Sequence, residues 1–468
     1  MPVNDATHPS YSENMLDLTA LELAKAIRAR QVSSEEVTRG YFERIRSANP
    51  RLNAFVDLGE RQAIRTARQK DAMTGRDEAL PLFHGVPIGV KDMSFARGFY
   101  TRFGSRALKY LWMPVDDLTV RSLRHAGFVI VGKTATSEAG ALPITEPDIH
   151  PATRNPWNEE FTAGGSSGGA AAAVAAGLLP IAHGSDGAGS IRIPASFCNL
   201  FGFKPSRGVV RNPYGHNDAR LLYTCGALTR SVEDAAALLD VMNNGVRLQG
   251  SKLLEMAMQS PRPLRVRYVF GSALVKAGPE QEEATRRVLK LLEELGHTVE
   301  PGVEVSGTLD DFLPLWQTLV AQAPLMRAKL QPTTRWLVDG AKHVDPGQVE
   351  ALHDRLERMI DETFADADVL VSPSVALPPP RVGAFAALDP EQAFRAAAAL
   401  GGLTAPYNIT GQPAASIPAG FSADRLPIGV QLVGRRWQDG ELLALAHQLE
   451  SALPFSTRPL GAAVGKVS

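Results

Sequence analysis

Gly164–Ser190 reads GGSSGGAAAAVAAGLLPIAHGSDGAGS: two glycine-rich loops joined by an alanine-rich segment and a short apolar run. That run, Leu178–Ala182, has the length and flanks of a buried strand in an α/β sheet. Outward from it, Pro87–Val90, Phe128–Val131 and Phe201–Phe203 repeat the pattern. Helices are predicted between these strands. Ser33 to Glu36 reads as a capping box flanked by a Val32/Val37 staple, with Val37, Tyr41 and Ile45 on one face. Further helix starts fall at Asp117 and Ser231. Beyond residue 263 come a strand (Leu264–Phe270), a helix (Glu280–Leu295) and a strand candidate near Thr298–Val305. Residues 307–365 read as helical, interrupted at Pro314, Pro324 and Pro332. Strands at Val369–Ser372, Ala414–Ile417 and Ile428–Val433 precede a closing helix, Glu441–Leu453. No repeat or low-complexity linker divides the chain, so one mixed α/β domain over residues 1–468 is expected. Its catalytic core is placed at about 75–245 and a helical, pocket-forming region at about 305–400.

The 49 basic and 50 acidic residues nearly cancel, and no basic stripe offers a surface for nucleic acid. Cys198 and Cys225 are too few for a disulfide framework and lack metal spacing. The ten histidines show no H-E-x-x-H pattern, and the most tempting, His183, reads as a buried strand residue. No metal or cofactor is expected. The N-terminal stretch lacks the order of a secretory signal, and no apolar run approaches the roughly 18 residues of a membrane span. A soluble, cytoplasmic protein is the expectation.

Three side chains suggest the chemistry. Ser166 and Ser190 stand in the two glycine-rich loops, and Lys91 ends the run GVPIGVKD (Gly85–Asp92). A serine presented among glycines can meet several backbone amides, here those of Gly187, Ala188, Gly189 and Ser190, aimed at one oxygen. A phosphate loop is the competing reading. It lacks the Gly-Lys-Ser/Thr of one motif, and Arg192 replaces the third glycine of the other. A lysine with an ordinary pKa near 10.4 is rarely neutral at pH 7, but desolvation lowers that value. Lys91 is then either a base or the partner of an acid such as Asp92. Ser166, both donor and acceptor, would bridge Ser190 to Lys91. Ser167 is its easily confused neighbour, and a plain turn role remains open for both.

These motifs resemble the amidase signature family: Lys91 in GVPIGVKD, Ser166 in AGGSSGGAAAAVAAG, and Ser190 in HGSDGAGSIRIPA. FGFKPSRGVV (Phe201–Val210), APYNITGQPAASIPAG (Ala405–Gly420) and LPIGVQLVG (Leu426–Gly434) match as well. The resemblance implies a large mixed sheet, mostly parallel at its centre, with helices on both faces. It also implies Ser190 as nucleophile, Ser166 as bridging serine after a cis peptide bond, and Lys91 as base. The amides of Gly187, Ala188, Gly189 and Ser190 would form the oxyanion hole. Ala188 replaces a family glycine without removing a donor, and Asp186 and Arg192 are expected to hold the loop by hydrogen bonds. ITEP and ATRNPWN (Ala152–Asn158) are similar to bacterial hydrolases of cyclic nylon oligomers and to urethanases.

The expected activity is hydrolysis of small amides, anilides or carbamates. The alternative is the glutaminase subunit of a tRNA-dependent amidotransferase. Substrate contacts are sought in three segments: Arg207–Tyr223 with Arg207, Arg211, Asn212 and Asn217; Phe312, Trp316 and Leu319 at helical spacing; and Leu377–Leu400. Core packing is an equally open role for the second. Oligomeric state is not legible.

Overall fold

Thirteen strands form among the described residues: β1 (Phe55–Leu58), β2 (Pro87–Lys91), β3 (Val129–Thr134), β4 (Arg154–Asn155), β5 (Asn158–Thr162), β6 (Ile181–Asp186), β7 (Phe201–Lys204), β8 (Thr224–Thr229), β9 (Arg265–Tyr268), β10 (Thr298–Pro301), β11 (Val369–Pro373), β12 (Ala414–Phe421) and β13 (Pro427–Gly434). The structure is a computed structural model and describes residues 13–74, 79–213, 222–243, 245–246, 250–305, 307–453 and 455. Eleven strands share one sheet, in the order β1-β3-β2-β6-β8-β7-β12-β13-β11-β9-β10, while β4 and β5 pair separately.

Alternation along the strands builds two cores. Ile88 and Val90 of β2, Ile181 of β6 and Ala227 of β8 pack with the helices Ala20–Arg28, Val232–Met242 and Asp439–Ala452. Val129, Val131, Ala182 and Leu228 turn to the opposite face, against the helix Gly168–Ala175. That helix is buried on every side. At Gly169 a Cβ would come within 2.2 Å of the Ala135 amide nitrogen, so the close approach requires glycine.

The mixed α/β sheet with helices on both faces is as expected, but its centre is not mostly parallel. Parallel pairing is confined to β3-β2-β6 and to β11-β9-β10. From β6 through β8, β7, β12 and β13 to β11 every pairing is antiparallel. β8, which the sequence reading missed, accounts for two of these five pairings, and β12 and β13 for the other three. β8 enters between β6 and β7 and runs against both. A second correction concerns residues 307–365: Pro314 lies inside the helix Leu309–Ala321, whereas Pro332 begins the helix Pro332–Ala341. The caps at Ser33, Asp117 and Ser231 form as read.

Candidate active site

Lys91 closes β2, and the parallel pairing of β2 with β6 (Val90 opposite His183) lays the C-terminal ends of the two strands side by side. The side-chain nitrogen of Lys91 is therefore delivered to the end of β6, next to the loop that carries Ser190. It lies 2.8 Å from Ser166 Oγ, 3.0 Å from Ser185 Oγ and 3.2 Å from the Ser185 carbonyl. Asp92 is not its partner, because that carboxylate faces Lys133 at 3.5 Å. No ion pair reaches Lys91 among the described residues. Burial strongly disfavours its charged form and outweighs the attraction of Asp186, bringing its pKa down to about 7.

The serines separate by their bonds. Ser166 follows a cis peptide bond from Gly165 and meets the lysine. Ser167 instead ties the loops together. Its Oγ donates to the Ser185 carbonyl (3.1 Å), and its N–H donates to the Ser190 carbonyl (3.2 Å). Thr145, in the ITEP stretch, donates to the Gly164 carbonyl at 2.9 Å and accepts from the Gly168 amide at 3.2 Å.

The loop that carries Ser190 hangs on a buried ion pair. Arg192 Nε and Nη2 donate to the two oxygens of Asp186 at 2.9 and 2.8 Å. Its remaining donors reach Thr404 O, Gln431 Oε1 and Asn408 Oδ1 at 2.9, 2.7 and 2.6 Å. Asn408 Nδ2 bonds the Asp186 carbonyl at 2.9 Å. Burial pushes the Asp186 carboxyl up, but Arg192 overrides it and holds the group below the usual carboxylate range. Asp186 Oδ1 also accepts the Gly189 amide at 2.7 Å. That N–H is therefore engaged, and of the four expected oxyanion donors Gly187, Ala188 and Ser190 remain. Gly189 has φ +122°, and a Cβ there would lie 2.1 Å from Thr404 Oγ1.

Two cavities meet at Ser190. A larger one, of about 670 Å³, is lined by Ser166, Ser185, Gly187, Asn212, Tyr223 and Leu319, among others. A smaller one, of about 90 Å³, is lined by Ala188, Phe312, Leu356, Ile360, Phe394 and Ile409, among others. Gly140, Ser190 and Trp316 line both. Among the described residues, neither wall carries a charged side chain. Trp316 donates from Nε1 to the Ala141 carbonyl at 3.1 Å and stacks on Phe312, ring centroids 5.6 Å apart. Phe312, Trp316 and Leu319 thus serve both as packing and as cavity wall.

Two expected substrate contacts are corrected. Arg207 donates to the Asn408 and Ile409 carbonyls at the end of a short helix, and Arg211 donates from Nε to the Asn243 carbonyl at 3.3 Å. Neither lines either of these two cavities; both guanidinium groups are instead held by the open carbonyls of a turn and a helix end. Asn217 lies outside the described residues. ATRNPWN also faces inward. Asn155 Nδ2 donates to the Phe197 carbonyl (2.8 Å) and Trp157 Nε1 to that of Cys198 (3.0 Å), so these residues clamp the helix Arg192–Cys198. His183 is buried with its ring pKa pushed down to about 3, by burial first and then by Lys91 and Lys133. His353, Asp354 and Glu357 form a cluster of metal-ligand type, but they line neither cavity. Sequence reasoning missed Ser185, Asn408 and Gln431. The last two stood in quoted motifs, but nothing local linked them to Arg192.

The sequence profile of the Amidase family matches residues 36–331 and 325–443. A Synechocystis sp. protein bearing an amidase name is 37% identical over 456 residues, covering 93% of this chain and 88% of its own length. The solved structure of 6-aminohexanoate cyclic dimer hydrolase with its substrate superposes with a TM-score of 0.87 at 31% identity, covering 95% of this chain and 99% of that one. A bacterial aryl acylamidase gives a TM-score of 0.83 at 26% identity, covering 93% and 96%. The chain belongs to the amidase signature family and is an amide hydrolase.

Proposed function

We propose that this chain hydrolyses small, uncharged amides, anilides and carbamates through Ser190, Ser166 and Lys91. The observation that carries the reading is the contact of a buried lysine, tuned to about 7, with Ser166 at the edge of a cavity that also holds Ser190. A neutral Lys91 accepts the Ser166 proton while Ser166 accepts that of Ser190. The Ser190 oxygen bonds the acyl carbon, and the charge on the former carbonyl oxygen meets the amides of Gly187, Ala188 and Ser190. As the carbon–nitrogen bond breaks, Ser166 protonates the leaving nitrogen and recovers its own proton from the Lys91 ammonium. Water then attacks the acyl-enzyme through the same relay.

Carbamates enter by the same logic, since the relay meets an acyl carbon bearing nitrogen in either case. The similarity to an aryl acylamidase and to a cyclic amide hydrolase supports the amide side of this range. The glutaminase alternative fits less well. A free amino acid needs charged partners, and none lines either cavity among the described residues.

The test is a panel sharing one aryl amine, presented as an acetanilide, a methyl carbamate and a urea, run beside glutamine. Turnover of the anilide and carbamate without glutaminase activity is expected. Glutamine hydrolysis with no anilide turnover would overturn the reading. Labelling by a phosphonyl fluoride at Ser166 or Ser167 instead of Ser190 would overturn the assignment of the nucleophile.

A further inference from the structure

We infer that the smaller cavity is the acyl subsite and the larger one the amine subsite. The chain is thereby directed to amides that join a short apolar acyl group to a bulky amine. The inference rests on the relay proposed above and adds a direction to it. Three groups diverge from the carbon that Ser190 attacks: the oxyanion, the acyl substituent and the leaving nitrogen. The nitrogen must come within hydrogen-bond reach of the group that protonates it. Ser166, that group, lines the larger cavity and not the smaller. The amine and whatever it carries therefore occupy the larger space, and the acyl substituent is left with the other side of Ser190.

The two spaces differ in what they accept. A cavity of about 150 Å³ walled by aliphatic and aromatic side chains holds a benzene molecule. The space of about 90 Å³ between Phe312, Leu356, Ile360, Phe394 and Ile409 is smaller, so it suits an aliphatic chain of few carbons. The larger space, about 670 Å³ with Asn212 and Tyr223 on its wall, takes an aromatic amine with polar substituents. Trp316 is the partition. Its ring borders both cavities, is fixed by the Ala141 carbonyl, and lies 3.4 Å from where a Cβ on Gly187 would stand.

For an N-aryl alkyl carbamate this direction settles which bond breaks first. The Ser190 oxygen bonds the carbonyl carbon, the carbon–nitrogen bond breaks, and the arylamine leaves with the proton from Ser166. The enzyme keeps an alkoxycarbonyl group. Water then releases an alkyl hydrogen carbonate, which falls to alcohol and carbon dioxide.

Two substrate series on the purified chain test the assignment. In the first, formyl, acetyl, butanoyl and octanoyl groups are joined to 4-nitroaniline. In the second, a fixed acetyl group is joined to aniline, 4-nitroaniline and 1-naphthylamine. We expect kcat/KM to fall about tenfold or more from butanoyl to octanoyl, and to vary by less than about fivefold along the amines. Ala398→Phe, at the half-buried end of the helix Pro390–Ala398 on the small cavity, should lower the butanoyl-to-formyl ratio about tenfold. With a methyl N-aryl carbamate, mass spectrometry of the quenched enzyme should find a methoxycarbonyl group on Ser190. Octanoyl turnover equal to butanoyl, with bulky amines rejected, would overturn the assignment and leave the hydrolase reading standing. A carbamoyl adduct would do the same. Failure of every anilide and carbamate would instead remove the relay reading, and this inference with it.

Discussion

Two basic side chains, Arg192 and Lys91, are buried beside the loop that carries Ser190, and they behave in opposite ways. Arg192 faces a carboxylate bidentately, and its other donors end on Thr404, Asn408 and Gln431. Lys91 faces two hydroxyls and a carbonyl. Burial costs both of them hydration, but only Arg192 receives an opposite charge in return. The guanidinium stays charged and shapes the loop, while the amine is brought to the point where it can lose a proton. The difference teaches that depth alone does not set what a buried basic group does. The absence of an ion-pair partner among the described residues distinguishes Lys91 from Lys133, which has Asp92.

The contrast is sharpest in activity. Ser190→Ala and Lys91→Met are each expected to lower kcat by roughly 10⁴-fold or more, with urea unfolding midpoints unchanged or raised. Ser166→Ala should retain more activity than either, since a water in the vacated space can link Lys91 to Ser190. If the three single variants were equally inactive at the detection limit of a sensitive anilide assay, that bridging role would be wrong.

Arg192→Met should break the other half of the comparison. It leaves Asp186 buried without its cation, a loss of ~3–5 kcal/mol, read as a lower urea midpoint with the slope unchanged. A stable Arg192→Met protein with only kcat reduced would place Arg192 in the chemistry instead.

The pH profile is a smaller effect. Burial lowers the Lys91 pKa, so the competent, neutral form grows as pH rises. kcat/KM for an uncharged anilide should climb through about pH 7 and level above it. A profile flat from pH 5 to 10 would count against Lys91 as the base. The smallest effect is expected from Ala188→Gly, which restores a family glycine without changing the amide donor. We expect kcat/KM to shift by less than about threefold.

Much of this was legible in the chain. Lys91, Ser166 and Ser190, the side chains of the proposed relay, stood out in the chain because glycines surround the two hydroxyls and a lysine ends an apolar run. The strands read from sequence include runs with a glycine inside them, as in β2, β7 and β13, and the run Leu178–Ala182 overlaps only the start of β6. β8, TCGALT, escaped because its two threonines and Gly226 leave only Ala227 and Leu228 as aliphatic residues. The reason for that glycine, a Cβ that would fall 2.2 Å from the Phe203 carbonyl oxygen, is visible only in three dimensions. The parallel centre was wrong because strand direction alternates from β6 through β8, β7, β12 and β13 to β11, and no local run of sequence specifies that order. Arg207 and Arg211 were misread because a guanidinium in a polar loop looks alike whether it meets a substrate or a helix end.

The arginine network joins residues far apart in the chain. Asn408 and Gln431, which fix Arg192, lie 216 and 239 residues beyond it. A growing polypeptide would hold all three proposed catalytic side chains by residue 190 and yet lack the clamp on their loop until β13 had emerged. Assembly of the proposed site is thereby tied to synthesis of the chain through residue 431. A fragment ending near residue 400 would carry the whole relay as sequence and none of it as a working site.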